Sequence, residues 1–272
     1  MTDQESRYDR IAEGYATWWA PIHRPATLRL LDEVEFDVAA GATRLLDVGC
    51  GTGAFAAAAV RRWPDIEVDG IDASAGMLAI AERTRTQAPE PERRRMRFTR
   101  APGDRLPFAD ATFDVASTAF VLQLVPSRHR VLREMHRVLA PGGLLALVAW
   151  LRGGTPLGAD DAYDQALLAA GFEPRDDGGI HDDIPSAPAA VAILRRAGFA
   201  GATAREATFG HQFTPESYLA FVASFDDEDL FASMDRETRT ALEADLLQRL
   251  RALPSDGLRM ELPIVYATGR RA

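Results

Sequence analysis

Short apolar runs and longer mixed stretches alternate through the middle of the chain with a regular beat. Arg44-Leu45-Leu46-Asp47-Val48 predicts a strand that runs into Gly49-Cys50-Gly51-Thr52-Gly53, and an Ala-rich helix over about 54–62 follows directly. A second strand from Ile66 to Ile71 ends at Asp72, and a helix follows over 75–86. Met96 to Thr99 and Phe113 to Ala119 predict the third and fourth strands, and a helix covers about 127–138. Pro141-Gly142-Gly143 then turns into a fifth strand, Leu144 to Trp150. Strands alternating with helices at this spacing imply βαβ units and a mostly parallel sheet.

Both ends of the chain depart from that beat. Residues 7–38 read as helical, with Tyr8, Ile11, Tyr15, Trp18 and Trp19 at helical spacing. After Trp150, residues 151–185 are rich in Gly, Asp and Pro, with a short helix near 160–170. A helix over 187–197 and a sixth strand over 202–211 follow. Residues 215–252 are helical and amphipathic, and Arg259 to Arg270 make a last strand. The expectation is a seven-stranded α/β sandwich. Residues 1–40 form an N-terminal helical lid, 41–211 and 257–272 the core, and 212–256 a helical insertion capping one edge of the sheet.

Charge and composition narrow the classes. The chain of 272 residues has a net charge of -9, which disfavours a nucleic-acid partner, because phosphate binding needs clustered Lys and Arg. The one basic cluster, Arg93, Arg94, Arg95 and Arg97, reads as a solvated turn before a strand. Cys50 is the only cysteine, so no intrachain disulfide forms, as in a reducing cytoplasm. The polar, acidic start lacks the apolar core of a signal peptide, and no apolar run approaches a membrane span. A cytoplasmic protein without membrane insertion, monomeric or homodimeric, is expected.

The chemistry concentrates at the first strand's end. Gly49, Gly51 and Gly53 permit a tight turn and a close backbone approach to a ligand, and the amides of the next helix point at the same place. Gly49, Gly51 and Ala54 also satisfy a dinucleotide fingerprint, so an NAD-dependent oxidoreductase is the first alternative. Charge separates the two: Asp47, just before the glycines, repels a pyrophosphate and favours a cation. Asp72, at the second strand's end, has the position of a carboxylate that accepts ribose hydroxyls.

Taken in order, Asp47 to Gly53, Asp72, Leu106-Pro107-Phe108 with Phe113-Asp114, and Leu139-Ala140-Pro141-Gly142-Gly143 resemble the class I methyltransferases that use S-adenosylmethionine (SAM). The likeness is to the group containing the ubiquinone and menaquinone C-methyltransferases, and it covers roughly residues 8–150. The resemblance implies a Rossmann-like core, a final antiparallel strand, and SAM as cofactor with S-adenosylhomocysteine (SAH) as product. It implies that Gly49, Cys50, Gly51 and Gly53 cradle the methionine part, that Asp72 binds the ribose, and that Ala73 and Met77 flank the adenine. Where the family carries an adenine-binding Asp this chain has Pro102, leaving Gly103 and Asp104 for that contact. Ala119 falls where a backbone carbonyl faces the SAM ammonium, and Gln123 where many members have His. A Tyr from the N-terminal helix, best matched by Tyr15, is expected over the sulfonium. A second alternative is a SAM-fold protein with a binding or scaffold role and no methyl transfer.

The acceptor is expected to be a small, apolar or aromatic molecule methylated on O, N or C. Five histidines are candidate bases. His211, at the sixth strand's end, and His23, near the lid, are the two placed on the expected pocket edge. His129 and His136 read as surface or packing residues, and His181 as a solvated loop residue. Phe209, Phe213, Tyr218, Phe221, Phe225 and Phe231 are candidates for the acceptor pocket. No metal is expected: there is no His-Glu-x-x-His, and the pairs Asp160-Asp161 and Asp182-Asp183 read as solvent-exposed loop residues.

Overall fold

In the computed structural model, which describes residues 3–174 and 183–272, the N-terminal helical run is broken into pieces. Helix α1 (Asp3–Gly14) passes into a π-helical turn, Tyr15–Trp19, then α2 (Ala20–Leu28) and α3 (Leu30–Ala39). Proline explains the break. Pro21 has no N–H to offer the carbonyl four residues back, and Ala20 instead donates to the Tyr15 carbonyl, five back. Strand β1 (Arg44–Val48) follows, then α4 (Ala54–Arg62), β2 (Glu67–Asp72), α5 (Ala75–Gln87), a short α6 (Glu90–Arg93) and β3 (Met96–Arg100). Next come β4 (Phe113–Ala119), α7 (Arg128–Val138), β5 (Leu139–Trp150), α8 (Gly158–Ala169), α9 (Ala187–Arg196) and β6 (Phe199–Gln212). The capping segment contains α10 (Pro215–Phe221), a second π-helical turn (Val222–Asp226), α11 (Glu228–Ser233) and α12 (Arg236–Ala252), and β7 (Arg259–Arg271) ends the fold.

The strands form one sheet in the order β3-β2-β1-β4-β5-β7-β6. All pairings are parallel except those of β7, which runs antiparallel to both β5 and β6. Strand β1 is buried along Leu45–Val48, as expected for a parallel strand covered on both faces. Leu45 joins one core layer, against α3 and α4; Leu46 and Val48 join the other, against α7 and α9. The strand order reverses between β1 and β4, and in an open α/β sheet that switch point is where ligands bind, beyond the strand C-terminal ends. Two strands start earlier than their apolar patterns suggest. β5 begins at Leu139, because Phe113 pairs with it ahead of a bulge, and β6 begins at Phe199, paired with Arg271.

Several side chains tie the N-terminal helices to the rest of the fold, among them the Arg83–Glu13 and Arg205–Glu33 ion pairs, and Asp9 bonds α1 to the start of α5. Asp9 on α1 accepts a hydrogen bond from the Ser74 hydroxyl at 2.6 Å and another from the Gly76 amide at 3.0 Å, at the start of α5. Gly76 lets the helices cross closely, since a Cβ there would lie 2.8 Å from the Asp9 carbonyl oxygen. No described helix is long and apolar enough to cross a membrane.

Candidate active site

A cavity of about 1020 Å³ opens at the switch point. It runs from Gly49, Gly51 and Asp72 to an aromatic chamber lined by Trp19, His23, Phe120, Trp150, Phe213 and Phe221. That volume is at the top of the range for one drug-sized ligand, roughly 300–1,000 Å³.

At the cofactor end the turn is built from left-handed residues. Gly49, Gly51 and Gly53 have φ of 73°, 51° and 76°. Gly49 is also crowded, since a Cβ would lie 2.2 Å from Val121 Cγ2, whereas one on Gly51 would meet nothing within 4 Å. Gly51 thus leaves open a cradle that a ligand can fill. The Gly49 and Cys50 amides both donate to the Ile71 carbonyl, at 2.7 and 2.9 Å. Gly51 donates to Asp72 Oδ2 at 2.9 Å, and Ser74 donates to Asp72 Oδ1 at 2.9 Å. Burial pushes the Asp72 carboxyl above its ordinary range, against the pull of those amides. Ala73, Met77, Gly103 and Asp104 line the same end, beside Tyr8 and Tyr15.

Three of the expected cofactor residues lie behind this surface. Asp47 is 3% exposed and does not line the cavity; its Oδ1 accepts from the Ser117 hydroxyl at 2.9 Å. Burial pushes its carboxyl up to about 7, opposed by the Ser117 bond. Cys50 is buried beneath the turn against Gly70, where a Cβ would lie 3.0 Å from its Sγ. Gly53 is needed for packing: its φ is left-handed, and a Cβ would lie 2.9 Å from the Phe98 ring.

The two chambers meet at the end of β4. Ala119 and Gln123 line the cavity there, with Phe120 between them in a left-handed conformation, φ 56°. A bulky residue is rarely held this way. Gln123 Nε2 donates to the Phe120 carbonyl at 2.7 Å, leaving its Oε1 buried and without a partner among the described residues. The Phe120 ring stacks on His23, centroids 4.7 Å apart and planes 25° from parallel, and packs on Trp150 at 4.4 Å.

The two π-helical turns face each other across this region. Tyr15 meets Phe225 edge-on at 5.9 Å, and Trp19 stacks over Phe225 at 6.1 Å. Burial raises the Tyr15 hydroxyl pKa, keeping it neutral. Of the aromatic candidates, Phe213, Tyr218, Phe221 and Phe225 line the cavity; Phe209 and Phe231 do not. Phe231 packs instead on Tyr163.

The two candidate bases separate. His23 lines the cavity and is 6% exposed, and burial pushes its imidazole down to about 3, so it is neutral near pH 7. His211 is half-buried on the edge strand and outside the lining; Phe213 meets it edge-on at 4.5 Å and takes the wall position. His129 is exposed, His136 packs on Phe199 at 5.1 Å, and His181 lies outside the described residues. The pair Asp160-Asp161 is exposed as expected but helical rather than looped: both sit in the first turn of α8 and line the cavity, and Asp160 Oδ1 accepts from the Tyr218 hydroxyl at 2.6 Å. Asp182 also lies outside the described residues. Among the described residues, no group of three His, Cys, Asp or Glu side chains could hold a metal ion.

Residues 46–147 match a family model described as a methyltransferase domain. An uncharacterized methyltransferase of Mycobacterium sp. (strain JLS) is 32% identical over 192 residues, covering 66% of this chain and 68% of that protein. A demethylmenaquinone methyltransferase of Thermus thermophilus is 39% identical over 105 residues, 39% of this chain and 46% of its own length, so the chain spans under half of that relative. A Haemonchus contortus phosphoethanolamine N-methyltransferase, solved with phosphomonomethylethanolamine and SAH, superposes with a TM-score of 0.55 at 17% identity, covering 100% of this chain and 61% of that one. Likeness at that identity shows a shared fold. With the glycine turn, Asp72 and the sheet order already in place, the chain belongs to the class I SAM-dependent methyltransferase family.

Proposed function

We propose that the protein transfers the methyl group of SAM to an O, N or C atom of a small molecule held in the aromatic chamber. The observation that carries this is the continuity of the cavity: one wall holds the glycine turn and Asp72, the other Trp19, His23, Phe120 and Trp150. Bound SAM supplies a methyl carbon already activated by a sulfonium, so the protein's task is chiefly to position the acceptor and exclude water.

The chain's own residues fit that task. Gly49 and Gly51 give backbone access to the methionine part, and each Asp72 oxygen keeps a lone pair for a ribose hydroxyl beside the amide it already accepts. Ala73 and Met77 flank the adenine, with Gly103 and Asp104 at its edge. The Ala119 carbonyl and the unpartnered Gln123 Oε1 suit the ammonium group. Tyr15 offers a neutral ring to the sulfonium, worth about 0.5–2 kcal/mol. Residues 1–40 and 212–256 close over the acceptor as lid and cap, their π-helical turns in contact.

Calorimetry with SAM, SAH and NAD, followed by methyl release against an acceptor panel, tests the proposal. SAM and SAH bind and NAD does not. Tight SAM binding with no methyl released to any acceptor would favour the non-methylating alternative.

A further inference from the structure

His23 is an anomaly in the chamber. It is 6% exposed, and neither ring nitrogen has a hydrogen-bond partner among the described residues. A buried polar ring that makes no hydrogen bond carries a desolvation cost, so such groups are rare unless a ligand completes them. Its surroundings hold it in place and make no hydrogen bond to it. Phe120 stacks on one face, Trp19 stands edge-on at 4.3 Å, Trp150 is tilted at 5.3 Å, and Phe209 and Tyr15 meet it edge-on at 5.8 and 6.3 Å. A half-turn of the imidazole exchanges its two nitrogens with its two CH groups, so the edge that lines the cavity can carry a nitrogen.

The lining constrains the ligand's charge. Its only Lys or Arg among the described residues is Arg7, at the Tyr8 end of the cavity, so a carboxylate or phosphate in the aromatic chamber has no described counterion. Flat aromatic walls favour a flat aromatic ligand.

Building on the methyl-transfer reading, we propose that the acceptor is an aromatic alcohol or amine without negative charge and that His23 is its polar anchor, accepting the hydrogen of its O–H or N–H. The depressed proton affinity of the imidazole is consistent with this role, since it keeps the ring neutral and able to accept.

Matched probes test it: naphthol, naphthalene and naphthoate, titrated onto the SAH-loaded protein by tryptophan fluorescence and calorimetry. Naphthol binds on the order of tenfold more tightly than naphthalene, the worth of one hydrogen bond to an otherwise unpaired buried group, and naphthoate binds worst. His23→Phe erases the naphthol preference and leaves SAH affinity unchanged, while His23→Gln, which keeps an acceptor, retains part of it. In the wild type, the imidazole nitrogen resonances of His23 shift with naphthol and not with naphthalene, a readout that stands if His23→Phe fails to fold. Equal binding of naphthol and naphthalene, a preference that survives His23→Phe, tighter naphthoate binding, or unmoved His23 resonances each overturn the proposal. Failure of the wild type to bind SAH would instead overturn the methyl-transfer reading, and the naphthol series on the ligand-free protein would then report on His23.

Discussion

Removing the Asp9 carboxylate should loosen α1 from the start of α5 while leaving the sheet intact. Asp9 makes two hydrogen bonds to the start of α5, from the Ser74 hydroxyl at 2.6 Å and the Gly76 amide at 3.0 Å, and its side chain is 29% exposed. Hydrogen bonds to a charged group contribute about 1.5–3 kcal/mol each when buried; with partial exposure, about 2–3 kcal/mol for the pair is reasonable. Asp9→Ala therefore raises the open population of α1 roughly 30- to 150-fold. Hydrogen exchange read by mass spectrometry on peptides covering α1 and the first π-helical turn should accelerate by that factor, with α12 as the unchanged control. Gly76→Ala should accelerate the same peptides with the carboxylate still present, because its Cβ would press on the Asp9 backbone at 2.8 Å. The pH dependence follows from the direction of the Asp9 shift. The Ser74 hydroxyl and Gly76 amide hold its carboxyl below its ordinary 3.8, so the contribution is present above that value and is lost as pH falls through the folded pKa. Unchanged α1 exchange in both variants at neutral pH would refute the latch.

Three further outcomes are expected. Asp72→Ala lowers SAH affinity at least about a hundredfold, through the lost acceptors for Gly51, Ser74 and the ribose; unchanged affinity by calorimetry would mean the ribose lies elsewhere. Asp47 has a carboxyl raised from 3.8 to about 7, so its contribution to ligand-free stability is present below 3.8 and is lost as pH rises through about 7. Urea unfolding of the ligand-free protein should therefore show stability falling as pH rises towards about 7, and the same series on Asp47→Asn should lack that fall. Cys50 is buried with its thiol pushed up by burial, so a disulfide reagent should label it only at the rate of opening; fast labelling of the native protein would contradict its position beneath the turn.

The parts legible in sequence were those carried by local pattern. All seven strands were legible as apolar or alternating runs, and the turn at 49–53 followed from glycine spacing, because backbone freedom there is a property of the residue itself. What sequence spacing left undivided was the choice between His23 and His211. Both sit near the expected edge, and only packing separates them: Phe213 takes the wall in front of His211, while Trp19 and Phe120 hold His23 against the cavity. Phe120 itself was invisible, since nothing about a Phe after a strand announces φ of 56°. Asp160 and Asp161 look like loop residues among their Gly and Pro neighbours, and become cavity residues only because α8 packs on the cap. The π-helical turn at Tyr15–Trp19 had a visible cause in Pro21, whose missing amide shifts the bonding register.

The glycine turn satisfies a dinucleotide pattern, yet its electrostatics oppose one. A pyrophosphate at such a turn needs free amides, and here Gly49 and Cys50 donate to Ile71 while Gly51 donates to Asp72. The carboxylate thus sits on the amide a phosphate would use. The sequence assigned this discrimination to Asp47, but that side chain faces Ser117, outside the cavity lining, and can stay protonated near neutral pH. Asp72 holds its place through two backbone bonds and faces the ligand directly. A carboxylate at the end of β2 is shared with ribose-binding NAD sites, so what sets this turn apart is the Gly51–Asp72 bond, which occupies an amide that a pyrophosphate would use.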